Sequence, residues 1–335
     1  MESKNILITG GMGYIGSHTA LVLLSQGFDI VIFDNLSNSS IDVKDKLEKI
    51  SSKKVTFIKG NVLDTTILQN TINDFNIDTV FHFAGLKAVS ESVENPNIYF
   101  ENNISGSINL LKVMKSSDVK KIIFSSSATV YGEPLYLPYD EDHPTNATNP
   151  YGRSKLYIEE MLKDVCNSDK DFSAICLRYF NPVGAHESSL IGENPEDIPN
   201  NLMPFITQVA CKKLTKLKIF GNDYNTPDGT GVRDYIHVMD LVEGHVKAMR
   251  YIESNKGWQA INLGTGKGIS VLDMVKSFEK VNSVRIPYQF VPRRKGDIDK
   301  FYSNVKTSKN LLNWKAKRGV EEMCKSSWDF QKGLN

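Results

Sequence analysis

The sequence has few cysteines, no long apolar run and no excess of charge of one sign. Its 335 residues include four cysteines, at 166, 176, 211 and 324, without the Cys and His spacing of a zinc site. The longest apolar run, Ala20 to Leu24, is far shorter than a membrane-spanning helix. The net charge is only +1, which disfavours proteins that wrap nucleic acid or bind acidic membranes. We therefore expect a cytoplasmic protein with reduced thiols and no structural metal.

Strand-like and helix-like segments alternate through the first half of the chain. Apolar runs predict strands at 5–9, 29–34, 55–59, 79–84, 121–126 and 173–180. Helical patterns lie between them, at about 14–26, 42–50, 65–74, 98–117 and 151–167. This alternation is typical of a parallel sheet covered by helices on both faces, which binds ligands at the carboxyl ends of its strands.

The alternation ends near residue 181. Residues 182–200 are predicted to form a loop, and later elements are predicted at 202–213 (helix), 217–220 (strand), 238–253 (helix), 258–263 (strand) and 270–281 (helix). The fold class expected is α/β, with a Rossmann-type doubly wound parallel sheet in residues 1–181 and a smaller α/β lobe in 182–335. Part of this second half, about 232–265, is expected to return to the first domain, and a cleft is expected between the two.

A glycine-rich turn follows the first predicted strand. Gly10, Gly13 and Gly16 fit the spacing G-x-x-G-x-x-G, and Gly11 gives the alternative spacing G-x-G-x-x-G. Glycines at such a turn let the backbone approach a pyrophosphate, and the helix that follows presents free N–H groups to the phosphates. The turn therefore predicts a dinucleotide site.

Asp34 indicates which dinucleotide is bound. It ends the second predicted strand, 21 residues after Gly13. A carboxylate there accepts hydrogen bonds from ribose hydroxyls and repels a 2′-phosphate, so NAD is favoured over NADP. The alternative is that Asp34 and Asn35 only begin a turn, for which both residue types are suited.

A tyrosine and a lysine form a candidate proton-transfer pair. Tyr151 and Lys155 are four residues apart at the start of a predicted helix and so share one face of it. An ammonium near a phenol favours the phenolate, which predicts a lowered pKa for Tyr151. Ser127 follows the strand 121–126, where its hydroxyl could reach the same substrate oxygen. The alternatives are a surface Tyr–Lys pair and, for Ser126 and Ser127, serines that cap or turn the chain. His82 and His237 lie in or beside apolar strands and are predicted to be structural.

The glycine turn, the run Ser125 to Gly132 (SSSATVYG) and the pair Tyr151 and Lys155 resemble the extended short-chain dehydrogenase/reductase superfamily. Four further segments narrow the resemblance to the UDP-glucose 4-epimerase family, and they lie at 82–87, 177–185, 199–204 and 228–237. This resemblance covers essentially the whole chain. It implies an isomerase that interconverts UDP-glucose and UDP-galactose at C4 through a transient 4-keto sugar and tightly bound NAD. It also implies a homodimer, formed through the segments 98–117 and 151–167.

The resemblance implies a role for individual residues. Tyr151 is the implied base, Lys155 holds the phenolate and the nicotinamide ribose, and Ser127 binds the same oxygen as Tyr151. The residues implied in NAD binding are Gly10, Gly13, Tyr14, Ile15, Gly16, Asp34, Asn35, Leu36, Ser37, Asn38, Ser39, Asn61, Val62, Phe83, Ala84, Gly85, Leu86, Lys87, Asn102, Ser125, Ser127, Tyr151, Lys155 and Phe180. The residues implied in binding the UDP-sugar are Ser127, Tyr151, Asn181, Asn201, Leu202, Lys218, Ile219, Phe220, Arg233, Arg294, Lys295, Gly296, Asp297 and Phe301.

Four of these positions depend on physical arguments as well. The planar guanidinium groups of Arg233 and Arg294 match the oxygens of a diphosphate, whereas Arg293 is expected to be a solvated surface charge. Asn61 departs from the aspartate expected beside adenine, but its amide oxygen can still accept from the adenine amino group. The bulk of Phe301 is expected to crowd a 2-acetamido group and so to disfavour the N-acetylated UDP-sugars, unless the ring only packs in a core.

Other functions remain open from the sequence. A nucleotide-sugar dehydratase or decarboxylase uses an added acid or base near the predicted strand 121–126 and the serines at its end. This chain has Ala128 and Thr129 there. A simple dehydrogenase would release NADH and consume added NAD. A non-catalytic NAD-sensing regulator would not need both Tyr151 and Lys155.

Overall fold

The computed structural model describes residues 5–195, 199, 201–294 and 296–334. The strands are β1 (Asn5–Thr9), β2 (Asp29–Asp34), β3 (Thr56–Lys59), β4 (Ile77–His82), β5 (Lys121–Ser127), β6 (Ser173–Tyr179), β7 (Asn181–Val183), β8 (Leu217–Phe220), β9 (Val232–Arg233), β10 (Tyr235–His237), β11 (Gly257–Leu263), β12 (Ile269–Ser270), β13 (Tyr288–Val291) and β14 (Lys300–Phe301). The α-helices are α1 (Tyr14–Ser25), α2 (Asp42–Ser51), α3 (Thr65–Asp74), α4 (Val89–Glu94), α5 (Pro96–Tyr99), α6 (Gly106–Ser116), α7 (Pro150–Ser168), α8 (Leu202–Ala210), α9 (Val238–Ile252), α10 (Val271–Asn282), α11 (Lys306–Leu312) and α12 (Val320–Lys332).

Seven strands form one sheet in the order β11-β6-β5-β4-β1-β2-β3. The pairs β1–β2, β1–β4, β2–β3 and β4–β5 run parallel, so their carboxyl ends meet at one edge. Thr9 at the end of β1 pairs with Phe33 of β2 on one side and with His82 of β4 on the other. The chain order reverses at β1, which is where a doubly wound sheet binds its ligand. The fold class predicted from the sequence, a Rossmann-type α/β fold, is confirmed.

The sheet strands are apolar because helices cover their side chains. Leu7, Val31, Phe33 and Val80 are at most 4% exposed and belong to one apolar core. Helices α3, α6 and α7 add Leu68, Leu110 and Leu162 among other residues to the same core. Several strands end instead in a polar residue, such as Thr9, Asp34 and Ser127, at the edge where a sheet of this kind binds its ligand.

The chain divides into two compact units. The first comprises 1–132, 144–178 and 242–261, and the second comprises 133–143, 179–241 and 262–335. The second unit contains two small parallel pairs, β10–β7 and β13–β8, and the three-stranded order β12-β9-β14. Its core packs α8, α10 and α12 around Ile206, Phe278 and Met323.

The predicted elements of the first half are confirmed to within about two residues. One further prediction is wrong, and one is incomplete. The predicted loop at 182–200 begins with strand β7, which pairs with the distant β10. The predicted helix at 98–117 begins earlier, at Pro96, and its residues Phe100–Ser105 form a π-helical turn. Among the described residues, no helix is long and apolar enough to cross a membrane.

Candidate active site

The glycine turn joins β1 to α1 through tight backbone contacts. Gly10 has a φ of +69°, and a Cβ there would lie 2.6 Å from the amide nitrogen of Ala84. A Cβ on Gly16 would lie 2.3 Å from the carbonyl oxygen of Gly10. Both positions therefore need glycine for the fold itself, since backbone atoms cannot yield as a flexible side chain can.

Gly13 differs from these two glycines. A Cβ there would meet only the carbonyl oxygen of Gly10, at 3.3 Å, and its φ of −71° suits any residue. Protein packing alone does not require glycine at this position. Gly13 is also the N-cap of α1, which has no side-chain cap and no acidic residue in its first turn. A bare backbone surface beside the positive end of a helix fits the pyrophosphate of a dinucleotide.

The carboxylate of Asp34 is held beside this turn. One of its oxygens accepts from the backbone N–H of Met12 at 3.0 Å, and the other accepts from Leu36 N at 2.8 Å and Ser39 Oγ at 3.1 Å. Leu36 has a φ of +60°, so Asp34 does begin a turn, as the alternative predicted. A carboxylate offers about four lone-pair sites, so these three bonds leave it able to accept from a ribose hydroxyl. The turn and the NAD assignment are therefore compatible.

Lys155 lies at the carboxyl end of β5. Its Nζ donates to the backbone oxygen of Ser125 at 2.7 Å and lies 5.9 Å from the ring centroid of Tyr151. A Cβ on Gly85 would lie 3.6 Å from the same Nζ, so the segment after β4 reaches this point as well. Burial lowers the pKa of Lys155 to about 8. Burial therefore makes the proton of this ammonium easier to lose than that of an exposed lysine.

Tyr151 lies in the first turn of α7. The preceding Asn149 caps this helix by accepting from the N–H of Gly152, and Pro150 occupies its first position. Burial raises the pKa of Tyr151, and a hydrogen bond with Ser127 partly offsets this increase. The predicted lowering of this pKa is therefore wrong for the protein alone. The reason is that desolvation of the phenolate dominates while Nζ of Lys155 donates to Ser125.

Ser127 and Ser126 have different roles at the end of β5. Ser127 is 8% exposed, and its Oγ accepts from the N–H and the hydroxyl of Thr129 at 3.2 and 2.9 Å. Ser127 also lies close enough to Tyr151 to lower the pKa of that phenol, which places Ser127 in the candidate site. Ser126 is buried and donates to the carboxylate of Glu159, so its role is structural.

Sequence reasoning missed the buried ion pair of Glu159 and Arg178. Their side chains are 0% and 4% exposed, and the guanidinium binds both carboxylate oxygens. Arg178 also donates to the hydroxyl of Tyr131 at 3.0 Å. Glu159 lies one turn after Lys155 in α7, a spacing visible in the sequence that could have indicated its position. The pair fixes β5 and β6 to α7 beneath the site.

Asn103 was missed as well. It lies in the π-helical turn, is 2% exposed, and donates to the oxygens of Leu86 and Ser154, each at 3.0 Å. Its own side-chain oxygen accepts from the N–H of Leu86 at 2.8 Å. Asn103 therefore ties the segment after β4 to α7, and π-helical turns of this kind are frequent at functional sites.

Both histidines are structural, as predicted. His82 is 2% exposed, and its two ring nitrogens pair with Thr9 Oγ1 at 2.7 Å and Ser107 Oγ at 2.9 Å. His237 pairs with Ser326 Oγ at 3.0 Å and accepts from Met239 N at 3.1 Å. Burial lowers the pKa of each to about 3, so both imidazole rings are uncharged at neutral pH.

Other predicted cofactor residues lie at the same edge of the first unit. The Oδ1 of Asn61 accepts from Leu63 N at 2.9 Å, so Asn61 turns the chain after β3. Asn102 donates to Asn103 at 3.0 Å, and Phe83 packs 5.2 Å from the ring of His245. Phe180, which was also predicted to contact NAD, belongs to the second unit.

The second unit brings two predicted arginines to one carboxylate. Arg294 donates to both oxygens of Asp297, at 2.8 and 3.1 Å, and Arg233 Nη2 lies 3.7 Å from the same group. The Arg294 guanidinium also lies 5.0 Å from the ring centroid of Phe220. Arg293 instead pairs with Asp223 at the surface, at 2.7 Å. The unit therefore holds two guanidinium groups close enough together to bind one diphosphate.

The other predicted substrate residues of this unit are distributed as follows. The ring of Phe301 packs 4.8 Å from Tyr139 and 5.2 Å from Phe180. Lys218 and Phe220 are exposed on β8, whereas Ile219 points into the core and is 1% exposed. The remaining residues are Asn181 on β7, Asn201 with Leu202 at the start of α8, and Gly296 with a φ of +85°. Lys295 lies outside the described residues.

Comparison with known proteins agrees with this geometry. The family model described as GDP-mannose 4,6 dehydratase matches residues 7–327. A UDP-glucose 4-epimerase of Bacillus subtilis is 53% identical over 326 residues, which are 97% of this chain and 96% of that protein.

Two solved structures are also similar. One is a UDP-glucose 4-epimerase of Stenotrophomonas maltophilia with bound NAD and formylated UDP-arabinopyranose (TM-score 0.97, 44% identity, 99% and 98% of the two chains covered). The other is a UDP-glucose 4-epimerase of Bifidobacterium longum in complex with NAD+ and UDP (TM-score 0.95, 48% identity, 98% of each chain covered). The chain therefore belongs to the UDP-glucose 4-epimerase family, within the extended short-chain dehydrogenase/reductase superfamily.

Proposed function

We propose that this protein interconverts UDP-glucose and UDP-galactose by inverting the configuration at C4, without net oxidation, through a transient 4-keto sugar. The observation that carries the proposal is the arrangement of Ser127, Tyr151 and Lys155 around the end of β5, in a sheet whose first turn is built to bind a dinucleotide. Relatives that are about half identical over nearly the whole chain, and that are named for this activity, support it.

NAD is the cofactor that the first unit fits. The uncovered backbone at Gly13 and the first turn of α1 suit the pyrophosphate, and the carboxylate of Asp34 suits a ribose without a 2′-phosphate. When bound, NAD supplies a reversible acceptor for the hydride at C4 of the sugar. The protein supplies binding, orientation and proton transfer.

Proton transfer is assigned to Tyr151. Its phenolate accepts the proton of the 4-hydroxyl as the carbonyl forms, and it returns the proton when the alcohol is restored. Ser127, which lies beside Tyr151, donates a hydrogen bond to the same sugar oxygen. The ammonium of Lys155, held by the oxygen of Ser125, stabilises the phenolate and binds the nicotinamide ribose. Burial raises the pKa of Tyr151, so this positive charge is needed to make the phenolate accessible.

The diphosphate is assigned to the second unit. Arg233 and Arg294 would bind its oxygens and keep the nucleotide anchored while the 4-keto sugar turns over to present its opposite face. Binding energy far from C4 then serves catalysis, because it prevents escape of the intermediate. In this assignment NAD binds the first unit, and most contacts to the nucleotide sugar come from the second.

A dehydratase is the strongest alternative, because the matching family model carries that name. Elimination needs an additional proton donor beside the carboxyl end of β5. This chain has Ala128 and Thr129 there, and the hydroxyl of Thr129 donates to Ser127. Epimerisation is therefore favoured.

Phe301 favours the sugars without an acetamido group. Its ring packs against Tyr139 and Phe180, which hold it in place. We expect Phe301→Cys to raise kcat/KM for UDP-N-acetylglucosamine relative to UDP-galactose. If the unmodified enzyme used both with equal kcat/KM, this assignment would be wrong.

A cytoplasmic homodimer is the proposed state of the protein. The exposed apolar residues Val93 (62%), Ile98 (52%) and Tyr157 (48%) lie on α4, α5 and α7, where a second copy could cover them. Light scattering on the purified protein tests this assembly, and a monomer at micromolar concentration would contradict it.

The activity is tested by incubating the purified protein with UDP-galactose in the absence of added NAD. Proton NMR should show UDP-glucose accumulating to equilibrium, with no NADH released. Conversion that requires added NAD and releases NADH would indicate a dehydrogenase, and a 4-keto-6-deoxy product would indicate a dehydratase. Binding of NAD without turnover would indicate a regulator.

A further inference from the structure

Asp234 is a buried carboxylate to which no role has been assigned so far. It lies between β9 and β10 in the second unit, and it is 0% exposed. One of its oxygens accepts from the N–H and the hydroxyl of Thr265. The other accepts from Gly266 N at 3.0 Å, Ser303 N at 3.1 Å and Ser303 Oγ at 2.6 Å. Five hydrogen bonds from two distant segments therefore meet at one side chain.

The backbone of Asp234 connects the residues proposed to bind the nucleotide sugar. Its N–H donates to the oxygen of Phe301 at 3.0 Å, and its oxygen accepts from the N–H of Asn181 at 2.9 Å. In the adjacent pairs, Arg233 lies opposite Phe301 and Tyr235 lies opposite Asn181. Movement of Asp234 would therefore displace three substrate residues together.

Gly264 packs closely against this carboxylate and against Ser303. A Cβ on Gly264 would lie 2.6 Å from the carboxylate of Asp234 and 2.3 Å from Ser303 Oγ. The strands involved are short, since β9 and β14 each have only two residues. Backbone pairing alone fixes such short strands weakly, so the carboxylate supplies much of the constraint.

We propose that Asp234 is a positioning residue of the nucleotide-sugar site, and that its carboxylate fixes Arg233, Asn181 and Phe301 in the arrangement that binds UDP. The proposal deepens the proposed function and rests on it. Asp234 itself does not contact the substrate in this account. It acts through the two strands and the turn that it holds together.

The charge-neutral variant Asp234→Asn tests the proposal because an amide cannot replace this carboxylate. Each carboxylate oxygen accepts from at least one backbone N–H, Thr265 N on one side and Gly266 N and Ser303 N on the other. Whichever way the amide is turned, its NH2 group meets a backbone donor. The segment that carries that donor must therefore move away from residue 234. The Kd for UDP should rise about tenfold, which corresponds to the free energy of one such hydrogen bond.

Asp240→Asn is the matched control. Asp240 is likewise 0% exposed in the second unit, and it accepts from the N–H groups of Lys317 and Arg318 at 2.8 and 2.7 Å. It bonds to none of the proposed substrate residues through its side chain. Asp240→Asn should therefore lower the melting temperature but leave the Kd for UDP within twofold of the unmodified protein.

The experiment measures three quantities for each variant: Kd for UDP by calorimetry, NAD content after purification, and melting temperature. The proposal expects Asp234→Asn to lose UDP affinity while keeping its NAD, with Asp240→Asn unchanged in both. Equal loss of UDP affinity in both variants, or none in Asp234→Asn, overturns it. If Asp234→Asn does not fold, Ser303→Ala removes one donor to the same carboxylate and should raise Kd about threefold; an unchanged Kd there overturns the proposal.

Arg233→Ala separates this proposal from the proposed function. If Arg233→Ala leaves the Kd for UDP unchanged, the diphosphate assignment fails, and the positioning role of Asp234 fails with it. If Arg233→Ala weakens UDP binding while Asp234→Asn does not, only the positioning role is wrong.

Discussion

Replacing Gly13 by alanine separates the role of this glycine in binding from its role in folding. Alanine adopts the φ of −71° and ψ of 174° found at Gly13 without strain. The N–H bond from Gly13 to Gly10 O and the bond from Ser17 N to Gly13 O use backbone atoms, so alanine keeps both. The added Cβ would lie 3.3 Å from Gly10 O, which requires a shift of only a few tenths of an ångström.

The expected effect on folding is small. The contact with Gly10 O costs some free energy, but alanine also reduces the entropy of the unfolded chain, which stabilises by about 0.4–1 kcal/mol. The effect on NAD is large, because the methyl group occupies the surface against which the pyrophosphate would lie. Loss of one charge-assisted hydrogen bond costs about 1.5–3 kcal/mol, at least about tenfold in Kd.

The assay compares NAD content and melting temperature for three variants. Gly13→Ala should lose NAD and keep a melting temperature close to that of the NAD-free protein. Gly16→Ala should lose both, since its Cβ would lie 2.3 Å from Gly10 O and overpacking costs about 1–3 kcal/mol. Gly319→Ala has no atom within 4 Å of the added Cβ and should change neither. Normal NAD content in Gly13→Ala would show that the pyrophosphate does not lie against Gly13.

Tyr151, the two buried histidines and Arg178 each allow a separate test. Tyr151→Phe should bind NAD and UDP normally but lose about 10²–10⁴-fold in kcat, and full activity would exclude Tyr151 as the base. His82 and His237 have pKa values of about 3 when folded and 6.5 when unfolded, so the unfolded chain binds more protons between these values. Stability should therefore fall as the pH decreases from about 6.5, by about 1.4 kcal/mol per pH unit for each histidine, and a urea midpoint that did not change between pH 7 and pH 5 would contradict this. Arg178→Met should cost about 3–5 kcal/mol in urea unfolding because it leaves the carboxylate of Glu159 buried and unpaired, and a loss below about 1 kcal/mol would show that the site tolerates that charge.

The first unit could be predicted from the sequence because each of its buried strands is a continuous apolar run. β1 and β2 have the predicted bounds, and the glycine turn between β1 and α1 indicated the ligand class. The second unit was harder to predict. Its strands β9, β12 and β14 have two residues each and exist only because distant segments pair, so no periodicity reveals them. No element beyond residue 281 was predicted, although α12 buries residues at helical spacing.

The site was predicted in its residue types but not in its electrostatics. The spacing of Tyr151 and Lys155 correctly indicated a shared helix face, but spacing carries no information about solvation. Burial therefore changed the predicted direction of the Tyr151 pKa. The partners of Glu159 and Asp234 come from other segments of the chain, so their roles could be seen only in the structure.

In the proposed mechanism, hydrogen leaves C4 of the sugar and returns to the same carbon without exchanging with water. UDP-galactose carrying deuterium at C4 distinguishes this route from exchange with solvent, with the protein in ordinary water and no added NAD. The UDP-glucose formed should retain the deuterium at C4, as read by NMR and mass spectrometry. Product with protium at C4 would show exchange with solvent and would contradict the mechanism.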